Sequence, residues 1–180
     1  FKKSKDVINY AREQGLYTVY FPYDTTRARE DDLTNLCRAI TQEAMPDSIG
    51  IVDTMGCATP EAIKYMVRWV KDMTGLPIEI HTHNDFGMGV ATELAAVTAG
   101  AEVVHSCGNG LGERTGNAAL EELMLGLDLL YGYETGYHFD KLPELGNMLA
   151  ELSNIEIARN KPILGSGNFI RESGIGIQYV

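Results

Sequence analysis

Pro77-Ile78-Glu79-Ile80-His81-Thr82-His83-Asn84-Asp85 is a short apolar run that ends in two alternating imidazoles. Alternate residues of a strand share a face, so His81 and His83 at a strand end point to one side and can reach one ion. A single histidine is more often a core or capping residue. The paired spacing, followed at once by Asn84-Asp85, points instead to a divalent cation. Asp85 is read either as a carboxylate that orients one imidazole or as the N-cap of the next helix.

Working outward, the same unit recurs. Strands are predicted at 16–21, 48–53, 77–80 and 102–106, and helices near 29–45, 60–73, 88–99 and 117–131. The clearest helix opens with Thr59-Pro60-Glu61, a hydroxyl at the N-cap and proline at the first helical position. Ala62, Ile63, Met66, Val67 and Val70 then recur at helical spacing. Gly15, Gly75 and Gly100 each close a helical segment ahead of a strand. Strand–helix alternation implies an α/β fold with a parallel sheet, either doubly wound or part of a barrel. Polar residues gather where every strand ends: Asp24, Asp53-Thr54, His81-Thr82-His83 and the stretch 105–109. Chemistry on four successive strand ends favours a barrel rim over the single switch point of an open sheet.

The chain has 180 residues, 44% of them hydrophobic, enough for one globular core. Its net charge of −10 includes no Lys/Arg block, which argues against nucleic acid. No stretch approaches the roughly 20 apolar residues of a membrane helix. Cys37, Cys57 and Cys107 form no C-x-x-C pair, which suggests reduced thiols and a cytoplasmic location. Cys57 is read as a buried thiol. The chain starts at Phe1, so it is expected to be internal to a longer polypeptide.

The loop Gly108-Asn109-Gly110-Leu111-Gly112-Glu113-Arg114-Thr115-Gly116-Asn117 lets backbone approach a ligand. It contains G-x-G, yet Glu113-Arg114 sits where a dinucleotide pyrophosphate would lie. Glu113 and Arg114 are read evenly as a loop ion pair or as ligand contacts. Thr25 and Thr26 are read as helix caps. Thr54, just before Met55-Gly56, is read evenly as a turn residue or a hydrogen-bond donor to substrate.

Ile78-x-x-His81-x-His83-Asn84-Asp85-x-Gly87-x-Gly89, with Gly110-x-Gly112-Glu113-Arg114-x-Gly116-Asn117 and Asp53-Thr54-x-Gly56-x-Ala58-Thr59-Pro60, resembles the isopropylmalate, homocitrate and citramalate synthase family. Its relatives include 3-hydroxy-3-methylglutaryl-CoA lyase. The resemblance spans 24–117 and continues loosely into Glu172-Ser173-Gly174-Ile175. It implies the C-terminal half of a (β/α)8 TIM barrel over 1–132, followed over 133–180 by the start of a linker subdomain. It also implies that His81, His83 and Asn117 ligate a divalent metal (Mg, Mn, Zn or Co), and that His83 also touches substrate. Thr54 would bind the carboxylate of a 2-oxo acid. Asp24 takes the place of the synthases' strand-end glutamate and, with Glu113, is a candidate catalytic carboxylate.

The implied reaction is a Claisen-type condensation of an acyl-CoA, acetyl-CoA above all, with a 2-oxo acid. The implied partners are those two substrates and a second copy of the chain. A retro-aldol or retro-Claisen lyase on the same metal, and a non-catalytic fragment or binding module, are the rival readings. The family's aspartate ligand and catalytic arginine belong to a first strand outside this chain. The synthases' histidines near the Ser-Gly-Ile motif are replaced by Arg171 and Gly176. The Glu-Arg-x-Gly-Asn loop favours the synthases, because the lyases carry a cysteine in that loop and Cys107 lies upstream of it.

Overall fold

The computed structural model describes residues 1–172 and 174. The expectations that rest on Ser173, Ile175 and Gly176 fall outside the described residues. Helix α1 (Lys2–Glu13) leads into strand β1 (Val19–Tyr20), and the alternation continues through α2 (Glu30–Glu43), β2 (Ser48–Asp53), α3 (Pro60–Thr74), β3 (Ile78–Thr82), α4 (Gly89–Ala99) and β4 (Val103–His105). A short α5 (Leu120–Leu125) runs into a π turn at Gly126–Leu130, and α6 (Leu142–Ser153) follows. Among the described residues no helix is long and apolar enough to cross a membrane.

The four strands are parallel and lie in the order β1-β2-β3-β4. That order decides between the two α/β architectures. A doubly wound sheet reverses its order and carries helices on both faces, whereas right-handed crossovers without reversal place every helix on one face, as in a barrel wall. Ile49 and Ile51 of β2 and Ile78 and Ile80 of β3 point to that helical face. There they pack with Leu33 and Cys37 of α2, Ile63, Val67 and Val70 of α3, and Ala96 of α4. Burying each large aliphatic side chain contributes roughly 1.5–3 kcal/mol. The alternate residues, Ser48, Gly50, Val52, Glu79, His81 and His105, lie on the opposite face, the interior of the barrel wall.

Helix α3 follows its sequence signals. The Thr59 hydroxyl accepts from the Ala62 N–H, Pro60 stands in the first turn, and the helix stops at Gly75 with φ 66°. Three boundaries differ from expectation. Strand β1 shrinks to two residues, because Leu16 and Tyr17 are exposed and Thr18 is tied to Asp47 by two hydrogen bonds. Strand β4 keeps only 103–105. Helix α5 starts at Leu120 rather than 117. Asn117 and Ala119 are held extended, bridged to His83 and Cys107, and the Cys107 N–H donates to the Ala118 carbonyl at 2.9 Å.

Candidate active site

Strand register builds the site. Val52, His81 and His105 are successive partners across β2, β3 and β4, so the two imidazoles stand side by side, ring centres 5.6 Å apart. His83, two residues further along, lies edge-on to His81 at 5.2 Å. The bridge between His83 and Asn117 folds the Gly-rich loop back over the strand end. It places the Asn117 amide 3.3 Å from His81 Nε2. Only glycine suits position 116, where φ is +85° and a Cβ would collide with the Gly110 carbonyl. The structure thus brings His81, His83 and Asn117 together.

Among the described residues no three His, Cys, Asp or Glu side chains are placed to hold a metal ion. The converging set here is two imidazoles and an amide. It fits a divalent cation on one observation above all: His83 Nδ1 is buried without any hydrogen-bond partner. A buried polar atom left unpaired is costly, and coordination would satisfy it. Burial, with His83 and His105 nearby, holds the His81 pKa below the ordinary imidazole range, so the ring is unprotonated at neutral pH as a ligand must be.

A cavity of about 360 Å³ opens beside these groups, lined by Phe21, Tyr23, Val52, Thr54, His81, His83, His105 and Glu113. Thr54 is buried in its wall, and its hydroxyl oxygen accepts from the Asp24 N–H at 2.9 Å. Its own proton is thereby free to donate into the cavity. Glu113 lies at the mouth, its side chain 84% exposed. Asp24 is not among the lining residues. Arg27 grips its carboxylate at 2.6–3.1 Å and holds its pKa below the usual carboxylate range. Tyr23, its neighbour, is the residue that reaches the cavity.

Arg114 keeps a long ion pair with Glu113 but makes its shorter bonds elsewhere. Its guanidinium forks onto Asp85 at 2.8 and 2.9 Å and donates to the Thr54 carbonyl at 2.7 Å, while Glu113 stays 3.7 Å away. Asp85 therefore caps no helix and pairs with Arg114, and Asn84 Oδ1 accepts from the Gly89 N–H instead. Thr25 and Thr26 are not caps either. Thr25 bridges the Pro22 carbonyl and the Val52 N–H, and Thr26 donates to Asp53. Asp53 accepts from the Cys57 and Ala58 N–H groups, which binds the turn after β2. Cys57 is exposed on that turn, contrary to its reading as a buried thiol.

Sequence reasoning missed a polar chain beneath the histidines. Ser48 donates to Glu79 Oε1 at 2.6 Å, and Glu79 Oε2 lies 3.1 Å from His105 Nε2. Phe21 lies against the His105 ring, tilted at 45° with centres 5.1 Å apart, in space that a side chain at Gly50 would fill. Period-two alternation puts Glu79 on the same face as His81, a signal present in the sequence. Its pairing with His105 needed the register.

Behind the strand, Glu93 of α4 is fully buried, with Oε1 at 3.1 Å from the Thr82 hydroxyl and Oε2 without a partner. Burial pushes its pKa from 4.5 up to about 8. The native state thus binds the proton more tightly than the unfolded chain. The corresponding stability is complete below the unfolded value and is lost as pH rises through the folded one. Urea unfolding followed across this window should show stability falling by up to about 1.4 kcal/mol per pH unit from this group. Glu93→Gln should flatten that slope; an unchanged slope would assign it to other groups.

Residues 1–149 match the family model described as HMGL-like. The chain belongs to the HMGL-like family. This HMGL-like chain is 40% identical over 176 residues to a homocitrate synthase of Methanocaldococcus jannaschii, covering 97% of the chain and 43% of the relative. It is 40% identical to a putative (R)-citramalate synthase of Archaeoglobus fulgidus (97% and 35% covered) and 41% identical to a 2-isopropylmalate synthase of M. jannaschii (94% and 33%). The HMGL-like chain spans less than half the length of these relatives. Among solved structures, an HMG-CoA lyase from Acinetobacter baumannii in complex with coenzyme A and 3-methylmalate superimposes with TM-score 0.73 at 22% identity, covering 84% of this chain and 53% of that one. The carboxyl transferase domain of Rhizobium etli pyruvate carboxylase gives 0.71 at 22% identity, covering 85% and 27%. The fold is the C-terminal half of a (β/α)8 barrel, with which the in-order parallel strands agree.

Proposed function

We propose that the protein containing this chain condenses an acyl-CoA with a 2-oxo acid at the rim where β2, β3 and β4 end. The observation that carries this reading is the convergence of His81, the unpartnered His83 Nδ1 and the Asn117 amide beside a cavity into which Thr54 can donate. Similarity at about 40% to homocitrate, citramalate and isopropylmalate synthases supports the condensing direction over cleavage.

His81, His83 and Asn117 would hold a divalent cation, Mg, Mn, Zn or Co. When bound, such an ion supplies Lewis acidity toward a ketone oxygen. The chain's own residues do the rest. Thr54 donates its hydroxyl proton to the oxo acid's carboxylate and so orients the ketone. Arg114 shuts the loop over that carboxylate subsite by bonding Asp85 and the Thr54 carbonyl. Glu113 is the carboxylate of this chain that lines the cavity, placed to take or return a proton at its mouth. Asp24 acts at one remove, its N–H fixing the Thr54 hydroxyl.

The test is thiol release from acetyl-CoA by the full-length protein, with each cation, across a panel of 2-oxo acids that includes pyruvate, 2-oxoisovalerate and 2-oxoglutarate. Release that depends on one oxo acid supports the reading. Binding of cation with no release across the panel, and cleavage of a 3-hydroxyacyl-CoA instead, would replace it with the lyase.

A further inference from the structure

The segment after the barrel reaches back onto the loop that carries Asn117. The turn at Gly108–Gly110 lies against α6: the Leu149 side chain occupies the space a Cβ at Gly108 would need, and Asn109 Nδ2 donates to the Gly146 carbonyl at 2.8 Å. On its other side, the Asn109 N–H donates to Glu121 Oε2 at 3.0 Å. The second oxygen of Glu121 lies 3.1 Å from Lys161 Nζ, an ionic contact without hydrogen-bond alignment, and Lys161 donates to Glu122 at 2.6 Å. The Glu121 side chain is 3% exposed and that of Lys161 17%.

A charge pair this deep adds little net stability, since desolvation offsets its attraction, and an apolar pair of equal volume would pack as well. What the ionic pair does that an apolar one could not is fix a carboxylate oxygen on a backbone N–H of the loop. Asn109 stands at φ 58°, in the left-handed region that asparagine enters more readily than most side chains, and the Glu121 bond to its N–H and its own bond to the Gly146 carbonyl hold it there. From Asn109 the chain runs through four more loop contacts, among them the Gly116 N–H to the Glu113 carbonyl, before it delivers Asn117 beside His81.

We propose that Lys161 is a positioning residue for the cation loop: acting through Glu121 and Asn109, it lets the post-barrel segment set how firmly Asn117 is presented to His81. The proposal rests on the reading of Asn117 as a ligand. It gives the segment after residue 132, which we place outside the barrel proper, a direct mechanical line into the site.

The test uses full-length protein with Lys161→Met, Lys161→Arg and the double variant Lys161→Met/Glu121→Gln, which removes the deeply buried carboxylate that the single variant would strand and leaves only the more exposed Glu122 without its partner, should the single variant fail to fold. Two quantities are read: hydrogen exchange of the 108–117 amides in metal-free protein, and Mn²⁺ affinity by titration. Lys161→Met should speed loop exchange and weaken Mn²⁺ binding, each by about tenfold, with β2 and β3 amides unchanged. Lys161→Arg should restore most of both. Unchanged loop exchange in a folded Lys161→Met protein overturns the proposal. So does a loosened loop with unaltered Mn²⁺ affinity, which would make the contact merely structural. Failure of the unsubstituted protein to bind Mn²⁺ would instead remove the metal reading, leaving loop exchange to decide the relay.

Discussion

His83→Ala in the full-length protein should abolish cation-dependent turnover, by at least about a hundredfold, with the fold retained. The reasoning starts from which face of β3 carries the core. Ile78, Ile80 and Thr82 point toward the helices, whereas His83 points into the barrel interior with Nδ1 bonded to nothing. Its removal therefore leaves the packed face intact and relieves an unsatisfied buried nitrogen. What it deletes is one of the three groups proposed to hold the cation. Mn²⁺ titration and steady-state kinetics, with circular dichroism to check the fold, decide the matter. Undiminished turnover would take His83 out of the metal set.

Arg114→Ala is expected to lower kcat/KM by about a hundredfold, some 2–3 kcal/mol of lost transition-state stabilisation, while Mn²⁺ affinity changes by no more than a few fold. Arg114 touches no proposed ligand. It ties the loop to two strand ends at once, forking onto Asp85 and donating to the Thr54 carbonyl. Without it Glu113 and the wall around Thr54 lose their closure, and on the proposed function correct placement of an oxo acid would be lost with them. Arg114→Lys should recover only a minor part, because an ammonium cannot make the two parallel bonds and reach the carbonyl together. Full rescue by lysine would reduce the fork to a simple charge effect.

Much of the site was legible before any coordinates. His81 and His83 share a face because a strand alternates with period two, and Thr59-Pro60 and Gly75 mark α3 because capping is local chemistry. Most of the misreadings concern groups whose partners are distant in sequence. Asp85 and Arg114 are 29 residues apart, and Thr26 and Asp53 are 27 apart. The late start of α5 has the same origin: a helical pattern from 117 onward gave way to bridges that Asn117 and Ala119 make with His83 and Cys107, just past the ends of β3 and β4. Asp24 shows the converse case, a carboxylate at a strand end whose local partner Arg27 draws it away from the cavity.

The sequence by itself determined the strand–helix alternation, the helical face of each amphipathic segment and the pairing of two imidazoles at one strand end, because each depends on residues within a turn or two of one another. The tertiary structure alone decided that the sheet runs β1-β2-β3-β4 without reversal, which turns an α/β pattern into a barrel wall. It alone set His105 beside His81 over a buried Glu79, and it supplied the contact across 36 residues between Asn117 and His81 that the family resemblance had implied without geometry. Those contacts follow from register and loop closure, which depend on how whole strands pack and leave no local mark in the chain.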